Sequence, residues 1–315
     1  MAKVNKKEYF VSKDLEIIKK IKKKFNLHKF YKLDNKKNCI KIDFTSKIIP
    51  FQNKIRNFTN FEKQEIIDLV SKLTNLEYLN LRWAKLEKTK LKLNHLVNLK
   101  FIDLGSNYLG RTPDFINELT KLEYLNLGVN FLKVIPKQIS RNKNLKKLYI
   151  HKNQIAELND CFSQCSELME LNLYFNKIPN IPDFVYNFKS LSTFTWGISK
   201  IKKIDKKIGN LKKLKYLTLA LNELERLPDS FCELSNLVAT RLHKNNLKTL
   251  PKNIGKLKNL EQITLYQNQL TTLPKSFYSL PKLKKINISW NRFECLPKDL
   301  QKIKSLKWQS FLYNY

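Results

Sequence analysis

Glycine and histidine are both scarce in this chain, whose 315 residues contain 6 glycines and 4 histidines. A loop that cradles phosphate groups needs closely spaced glycines, and a zinc protease helix needs two histidines in an HExxH pattern. Neither arrangement occurs in the sequence. We therefore expect no catalytic residues, no cofactor and no metal site, and the chain is predicted not to be an enzyme.

Cysteine is also sparse, and the five cysteines are spread along the chain as Cys39, Cys161, Cys165, Cys232 and Cys295. They form neither a cluster of four, which would predict a disulfide-bonded end cap, nor a CxxC pair, which would predict a zinc site. Cys161 and Cys165 lie four residues apart, and for them packing in the core is favoured over a redox or metal pair.

Long apolar runs are missing as well. No segment approaches the ~18 apolar residues of a membrane-spanning helix. The first residues, MAKVNKKEYFVSKDLEII, contain neither an uninterrupted apolar stretch nor a small-residue cleavage site. These features predict a cytoplasmic protein of a reducing compartment, while export without a leader stays open.

Negative charge is in short supply, because 27 acidic residues face 60 lysines and arginines and leave a formal charge of +33. Such an excess of cations suits a nucleic acid or an anionic membrane. Nearly all of the cations are lysines, however, whereas recognition of phosphates and bases favours the planar guanidinium of arginine. Together with abundant asparagine and isoleucine, the lysine excess favours the compositional bias of an AT-rich genome.

A period of 23 residues runs through most of the chain. The pattern L-x-x-L-x-L-x-x-N-x-L recurs in eleven units, which we number in chain order, and its asparagine position is occupied by Ala84, Asn107, Asn130, Asn153, Asn176, Ser199, Asn222, Asn245, Asn268, Asn291 and Asn314. No insertion breaks the register. A period of this length predicts a solenoid, in which each unit buries its apolar side against its neighbours.

One unit shows the physical basis of the pattern. In LEYLNLGVN, Leu122, Leu125 and Leu127 are predicted to point inward, while Tyr124 points out of a short strand, as in a half-buried sheet. The asparagine at the ninth position can satisfy backbone groups of neighbouring loops that the bend would otherwise leave buried and unpaired.

The sequence resembles the leucine-rich repeat family over roughly residues 73–315. The second half of most units reads like VIPKQI at 134–139 or TLPKNI at 249–254. An LPxxI segment in a 23-residue unit resembles the intracellular, Ras-associated type of leucine-rich repeat, which is found in signalling scaffolds and in related bacterial proteins. The resemblance implies an α/β solenoid with a concave parallel sheet and a convex side of short helical or irregular turns.

Residues 1–72 do not fit the repeat and are predicted to form an N-terminal α-helical cap with two helices and a short strand. Residues 73–315 are predicted to be the solenoid, with its last unit truncated. In the cap, Ser12 is a candidate helix N-cap, and Thr59 with Glu62 forms a candidate capping box.

The cap also carries the densest charge of the chain, in KKIKKKF at 19–25. A solvated helix face is the favoured interpretation, and an anchor for an acidic surface or an anionic lipid stays open. A strand is predicted over 39–44, and the apolar stripe of the first helix is predicted to contain Leu15, Ile18, Ile21 and Phe25.

Unit six departs from the pattern. It has Ser199 in place of asparagine and the bulky Phe194 and Trp196 at inward positions, so its bend is expected to be looser. Thr240 in unit eight is an inward polar residue. The first unit has Ala84 for asparagine and lacks the LPxxI segment.

The outward positions of the strands form the expected recognition surface, since a curved parallel sheet presents them as an ordered grid. Of 55 such positions, 12 are aromatic, about twice the chain average of 11%. Tyrosine and tryptophan dominate protein interface hot spots. The grid holds 11 basic and 5 acidic residues, so its net charge is what an even spread of the total would give.

An apolar centre with a charged rim is predicted in units five to seven. Phe175, Ile198 and Leu221 follow one another at the position before the asparagine, and Lys152 and Lys244 flank them. The candidate partner-binding residues are Tyr124, Tyr149, Tyr174, Phe175, Ile198, Tyr216, Leu221, Arg241, His243, Tyr266 and Trp290.

The two histidines of the grid, His151 and His243, lie four units or roughly 19 Å apart at strand spacing, too far to share a metal. Each belongs to a polar group that could hold a phosphate or an acidic side chain, although a solvated surface role is favoured: Tyr149, His151 and Lys152, or Arg241, His243 and Lys244.

Three functions follow from these observations. The first is a non-enzymatic scaffold or adaptor that binds a protein of unknown identity through the concave face. The second is a binder of polyanions or anionic membrane surfaces through the lysine-rich cap and convex face. The third is a bacterial effector that binds a host protein by the first mechanism.

Overall fold

The computed structural model describes residues 12–45 and 54–310. Its 13 strands follow one another in chain order through one sheet, and all neighbours are parallel except the first pair. They are β1 Tyr31–Leu33, β2 Cys39–Asp43, β3 Tyr78–Asn80, β4 Phe101–Asp103, β5 Tyr124–Asn126, β6 Lys147–Tyr149, β7 Glu170–Asn172, β8 Thr193–Thr195, β9 Tyr216–Thr218, β10 Ala239–Arg241, β11 Gln262–Thr264, β12 Lys285–Asn287 and β13 Trp308–Ser310. The predicted solenoid is confirmed, with β3 to β13 as the strands of units one to eleven.

The opposite side of the solenoid consists of short 3₁₀ helices. They span Asp114–Glu118, Lys137–Arg141, Asp160–Gln164, Asp183–Asn187, Lys206–Asn210, Asp229–Glu233, Ile254–Lys256, Lys275–Ser279 and Lys298–Lys302. Six of them begin directly after a proline of the LPxxI type, whose ring sets the extended φ before the helix. Because these turns are bulkier than the strands, the 3₁₀ side is convex and the sheet is concave.

The asparagines of the repeat satisfy backbone groups of neighbouring loops, as predicted. We call this row of hydrogen bonds the asparagine ladder. Asn130 donates from Nδ2 to the carbonyl oxygens of Leu127 at 2.9 Å and of Leu104, one unit earlier, at 3.1 Å. Its Oδ1 accepts from the backbone N–H groups of Leu109 and Asn107 at 2.9 and 3.1 Å. One amide therefore satisfies backbone groups of two adjacent units.

The ladder is interrupted in unit six. Among the described residues, the hydroxyl of Ser199 reaches only the carbonyl oxygen of Gly197, at 3.5 Å, and so bridges no neighbouring unit. Phe194 and Trp196 are fully buried beside it, with ring centroids 6.0 Å apart. Within the described part of the chain, the indole N–H of Trp196 and the hydroxyl of Thr240 are buried without a hydrogen-bond partner.

The residue before the asparagine position adopts a left-handed conformation in every described unit, with φ between 51° and 60°. The ten residues are Trp83, Ser106, Val129, Lys152, Phe175, Ile198, Leu221, Lys244, Gln267 and Trp290. None of them is glycine, although L-residues rarely adopt this conformation. The row of Phe175, Ile198 and Leu221 therefore lies where the strands turn into the loops, at the margin of the concave sheet.

The N-terminal cap continues the sheet. Helix α1, Lys13–Phe25, starts at the predicted N-cap Ser12, and α2, Asn60–Val70, starts with the predicted capping box of Thr59 and Glu62. Strand β2 pairs with β3 and covers the apolar end of the solenoid. The division of the chain at residue 72 stays a prediction.

Two details of the cap differ from expectation. The antiparallel strand β1 was not predicted. In α1, Ile17 is buried where Leu15 was expected, because the helix packs through a wider face. Asp14 is buried in the same face and accepts the backbone N–H of Cys39 at 2.8 Å, which ties α1 to β2.

Candidate recognition surface on the concave sheet

The first residues of strands β3, β4 and β5 are aromatic, and their rings form a stack on the outward side of the sheet. Because equivalent strand positions are in register, the ring of Tyr78 lies 4.0 Å from that of Phe101, which lies 4.1 Å from that of Tyr124. The Lys41 ammonium sits 4.0 Å from the Tyr78 ring, and Tyr149 contacts Tyr124 at 5.4 Å. The candidates Tyr124 and Tyr149 are therefore fixed by their neighbours and are partly exposed.

Burial changes the ionisation of these tyrosines. It raises the pKa of Tyr78 to about 12 and raises the pKa values of Tyr124 and Tyr149 as well. The Tyr149 hydroxyl donates to the Glu170 carboxylate, which also pairs with Lys147 at 2.6 Å. Burial opposes ionisation of Glu170, but these two contacts outweigh it and lower the pKa of the carboxyl.

The residues of the predicted apolar centre lie in the adjacent units five to seven. The side chains of Phe175 and Tyr216 are 48% and 50% exposed, and Ile198 and Leu221 are half-buried. The Tyr174 ring occupies the space that a Cβ at Gly197 would need, so it lies across the neighbouring unit. Phe175, Ile198 and Leu221 occupy equivalent positions of three adjacent units, Tyr174 precedes Phe175, and Tyr216 lies at the start of β9. We call these five side chains the apolar patch.

The two histidines of the grid have different surroundings. The ring of His151 fills the space above Gly128, and its Nδ1 is buried without a partner among the described residues. The His243 ring stacks on Tyr266 at 4.4 Å, and its Nδ1 lies 3.3 Å from the hydroxyl of Thr264.

Both histidines are neutral at pH 7. Burial, followed by nearby cations, lowers the pKa of each to about 4. No group of three potential metal-ligating side chains occurs in residues 12–45 and 54–310.

The remaining candidates lie towards the C-terminal end. Arg241 and Tyr266 are neighbours of His243, and both belong to the region of β10 and β11. Trp290 in unit ten is 45% exposed and is not part of the apolar centre. Two aromatic residues of the predicted grid, Trp308 and Tyr313, have side chains outside the described set, as does the asparagine position at Asn314.

A second apolar group was missed by the sequence analysis. Tyr108, Phe131 and Val134 are 45%, 50% and 65% exposed, and the rings of Tyr108 and Phe131 lie 6.0 Å apart. These residues follow the asparagine position and so fall outside the grid of strand positions. Their signal in the sequence is three apolar residues at places where other units carry polar ones.

Among the described residues, none of the helices has the length and apolar character required to span a bilayer. The family model described as leucine rich repeat matches residues 120–178 and 240–293. No curated protein matches the chain.

Solved structures show the same fold. A leucine-rich repeat protein of Leptospira interrogans is similar at 29% identity and a TM-score of 0.55, over 78% of this chain and 74% of that one. The ectodomain of the Arabidopsis thaliana membrane receptor kinase GASSHO1/SCHENGEN3, solved with CASPARIAN STRIP INTEGRITY FACTOR 2, is similar at 27% identity and a TM-score of 0.62, over 77% of this chain but 31% of that one. TLR13, solved in a complex with ssRNA13, gives 25% identity and a TM-score of 0.60 over 81% and 38%. The repeat, the fold and these comparisons all show that the chain is similar to leucine-rich repeat proteins.

Proposed function

We propose that the chain is a non-enzymatic scaffold or adaptor that binds a protein partner through its concave face. The observation that carries the proposal is the apolar patch of Tyr174, Phe175, Ile198, Tyr216 and Leu221. Leucine-rich repeat proteins are generally scaffolds for protein–protein interaction, and an apolar centre inside a polar surround is typical of an interface.

The patch is suited to this role because it is rigid and incompletely buried. Its backbone is held by hydrogen bonds between adjacent units, such as those from Phe175 N–H to Gly197 and from Ile198 N–H to Leu221, so binding a partner costs little ordering of the chain. Phe175 and Tyr216 each leave about half of their surface to be covered. Aromatic anchors at the centre of an interface supply most of the binding energy, each typically worth ~2 kcal/mol or more.

Removal of the anchors should abolish most of the binding. We expect Phe175→Ala with Leu221→Ala to lower the affinity for a partner captured from the source cells about 100-fold, measured by calorimetry. The matched control is Tyr108→Ala with Phe131→Ala, which removes apolar side chains of similar exposure outside the patch. Equal affinity of the patch variant and the wild type, with both folded, would contradict the proposal.

A second candidate function is the binding of polyanions or anionic membranes through the cap. It is favoured by the exposed lysines of α1, among which only Lys24 has an acidic partner within the described residues, Glu65 at 2.5 Å. A polyanion binder should lose affinity linearly on a log–log plot against salt, with a slope near −0.9 per phosphate contacted. Binding at the apolar patch should have a much shallower slope between 50 and about 300 mM salt than contact with several phosphates, and a steep slope would favour the cap.

The setting of the interaction is also proposed. All five cysteines are free, and three of them are buried. Free thiols are usual in reducing compartments, which supports a cytoplasmic signalling adaptor. The similarity to a bacterial leucine-rich repeat protein supports the variant in which the chain is an effector that binds a host protein.

A further inference from the structure

The charges of the concave face are arranged differently in its two halves. In units one to five, the carboxylates of Glu77, Glu123 and Glu170 each pair with a lysine of the adjacent unit, at 3.0, 2.8 and 2.6 Å. Asp103, the fourth carboxylate of this half, is buried and accepts hydrogen bonds from Gly105 N–H and the Asn126 amide at 2.8 and 3.0 Å. The first half therefore satisfies its own acidic groups.

The second half has more cations than carboxylates. In units six to ten the concave positions hold one carboxylate, Glu261, and it pairs with Lys284 at 2.8 Å. Four other cations of this half make no ion pair within the described part of the chain: Lys215, Arg241, Lys244 and Lys285. The net charge of the whole grid, which equals an even share of the total, does not reveal this difference between its two halves.

Two of these cations flank a rigid aromatic floor. Arg241 and Lys244 are both exposed and lie on either side of His243 in the chain, and the His243 ring stacks on Tyr266 within 9° of parallel. A neutral histidine between two cations adds no charge of its own. The arrangement offers a guanidinium, which can bind a carboxylate through two hydrogen bonds, and a second cation beside it.

The cationic pair adjoins the apolar patch. Strand β10 is the direct neighbour of β9, so Arg241 and Lys244 lie one strand from Tyr216 and Leu221 and two strands from Ile198. At a strand spacing of ~4.8 Å, two strands correspond to about 10 Å, the length of about three residues of an extended peptide. An apolar side chain and a carboxylate about three residues apart could therefore reach both features.

On these grounds we infer that the partner docks as an extended segment in which an apolar side chain covers Phe175, Ile198 and Leu221, and an acidic side chain about three residues away pairs with Arg241 and Lys244. This inference rests on the proposed function and gives its partner a chemistry. A nucleic acid fits less well, since unit six, the first unit of the second half, presents only uncharged residues at its concave positions: Ser192, Thr193, Thr195, Gly197 and Ile198. A phosphate backbone needs cations along its whole path.

Synthetic peptides test the inference directly. The probe is a set of fluorescent nine-residue peptides with one leucine and one glutamate at separations of one to five residues, each matched by a peptide with glutamine for glutamate. We expect the wild type to bind the glutamate peptides at least tenfold more tightly than their glutamine partners, with the best separation near three. Equal affinity within the pairs, or no peptide binding at all, would overturn the inference.

Charge reversal provides the second arm. Arg241→Glu with Lys244→Glu is expected to remove the preference for glutamate and to lower the affinity at least tenfold. The control is Lys285→Glu with Lys307→Glu, which reverses two exposed lysines of the same sheet two and three units away from Lys244. An equal loss in the control, or binding of a 12-nucleotide single-stranded DNA in place of the peptides, would assign the charges to general electrostatic attraction and refute an acidic peptide site.

A spectroscopic readout separates contact at this place from binding elsewhere. A carboxylate docked beside His243 favours its protonated form, so the pKa of His243 in NMR titrations should rise on addition of the glutamate peptide, while that of His151 stays unchanged.

The two levels of the proposal fail separately. If the Phe175 and Leu221 variant loses the captured partner but the charge-reversed variant keeps it, the adaptor function stands and the acidic segment is wrong.

Discussion

Asn130→Ala is expected to lower the free energy of unfolding by about 4 kcal/mol, because the side chain satisfies four buried backbone groups at once. The amide donates to the carbonyl oxygens of Leu104 and Leu127 and accepts from the N–H groups of Asn107 and Leu109. Asn130 is only 5% exposed, so water cannot replace these bonds without opening the bend. Each buried group left without a partner costs ~1–3 kcal/mol, and relaxation of the loop recovers part of the sum.

Urea unfolding followed by circular dichroism gives the overall change, and amide hydrogen exchange gives its location. The N–H groups of Asn107 and Leu109 should lose protection first, since a solenoid unit contacts only its neighbours. The matched control is Asn180→Ala, which removes an exposed asparagine of unit five and should leave the stability within about 0.5 kcal/mol of wild type. Similar stabilities for the two variants would show that the ladder does not hold the bends.

Unit six allows the converse experiment. Ser199→Asn restores the missing amide where the present hydroxyl reaches only Gly197. If the side chain can bridge to the adjacent unit as Asn130 does, the variant should be more stable than the wild type by about 1 kcal/mol. A destabilised variant would mean that the bulky Phe194 and Trp196 have changed the shape of this bend.

The hydrogen bonds that the sequence predicts are those between residues at a fixed spacing. The capping box of Thr59 and Glu62 involves two side chains three residues apart, so the spacing alone is sufficient to predict it. The ladder is predictable for the same reason, since each asparagine meets backbone groups at a constant offset. Strand β1 was missed because it has only three residues, although the DNKKN turn that joins it to β2 carries a signal: the Asp34 carboxylate accepts the backbone N–H groups of Lys36 and Asn38.

For the candidate recognition surface, the sequence predicts which residues face outward but not which of them become neighbours across strands. The apolar patch follows from knowing which residues point outward, and the structure places Phe175, Ile198 and Leu221 side by side. The left-handed φ of the residue before each asparagine could not be predicted, because no glycine occupies that position. The ion pairs depend on which residues become neighbours across strands, and residue counts contain no such information.

The charges of the concave face are paired in units one to five and partly unpaired in units six to ten, and this difference decides where the net positive charge can attract a partner. Ion pairs of half-exposed groups on the sheet contribute little stability, ~1 kcal/mol or less each. Their main effect in units one to five is that the charges of lysine and glutamate cancel. Unpaired cations near the apolar patch would steer an acidic partner to that part of the sheet, and the rate of association would fall with salt.

Gly255→Ala is expected to destabilise the chain by about 3 kcal/mol, because the convex turns approach one another more closely there than a Cβ permits. A Cβ built at Gly255 lies under 3.0 Å from the backbone carbonyl oxygen of Ser276 in the next unit, a separation that real Cβ atoms essentially never show. The same residue donates its N–H to the Ser276 hydroxyl at 3.2 Å, so the two turns are held together at this point. A backbone oxygen cannot rotate away as a flexible side chain would, and relief requires the units to separate.

Gly110→Ala is the matched control, since a Cβ there meets nothing within 4 Å. Neither glycine has a positive φ, so alanine can adopt the backbone of both, and the comparison isolates the steric clash. At Gly110 the smaller conformational freedom of the unfolded chain should make the variant neutral or more stable by up to about 1 kcal/mol in urea unfolding. If Gly255→Ala is as stable as Gly110→Ala, the spacing of the convex turns is adjustable, and the curvature that places the patch beside Arg241 and Lys244 cannot be attributed to their close packing.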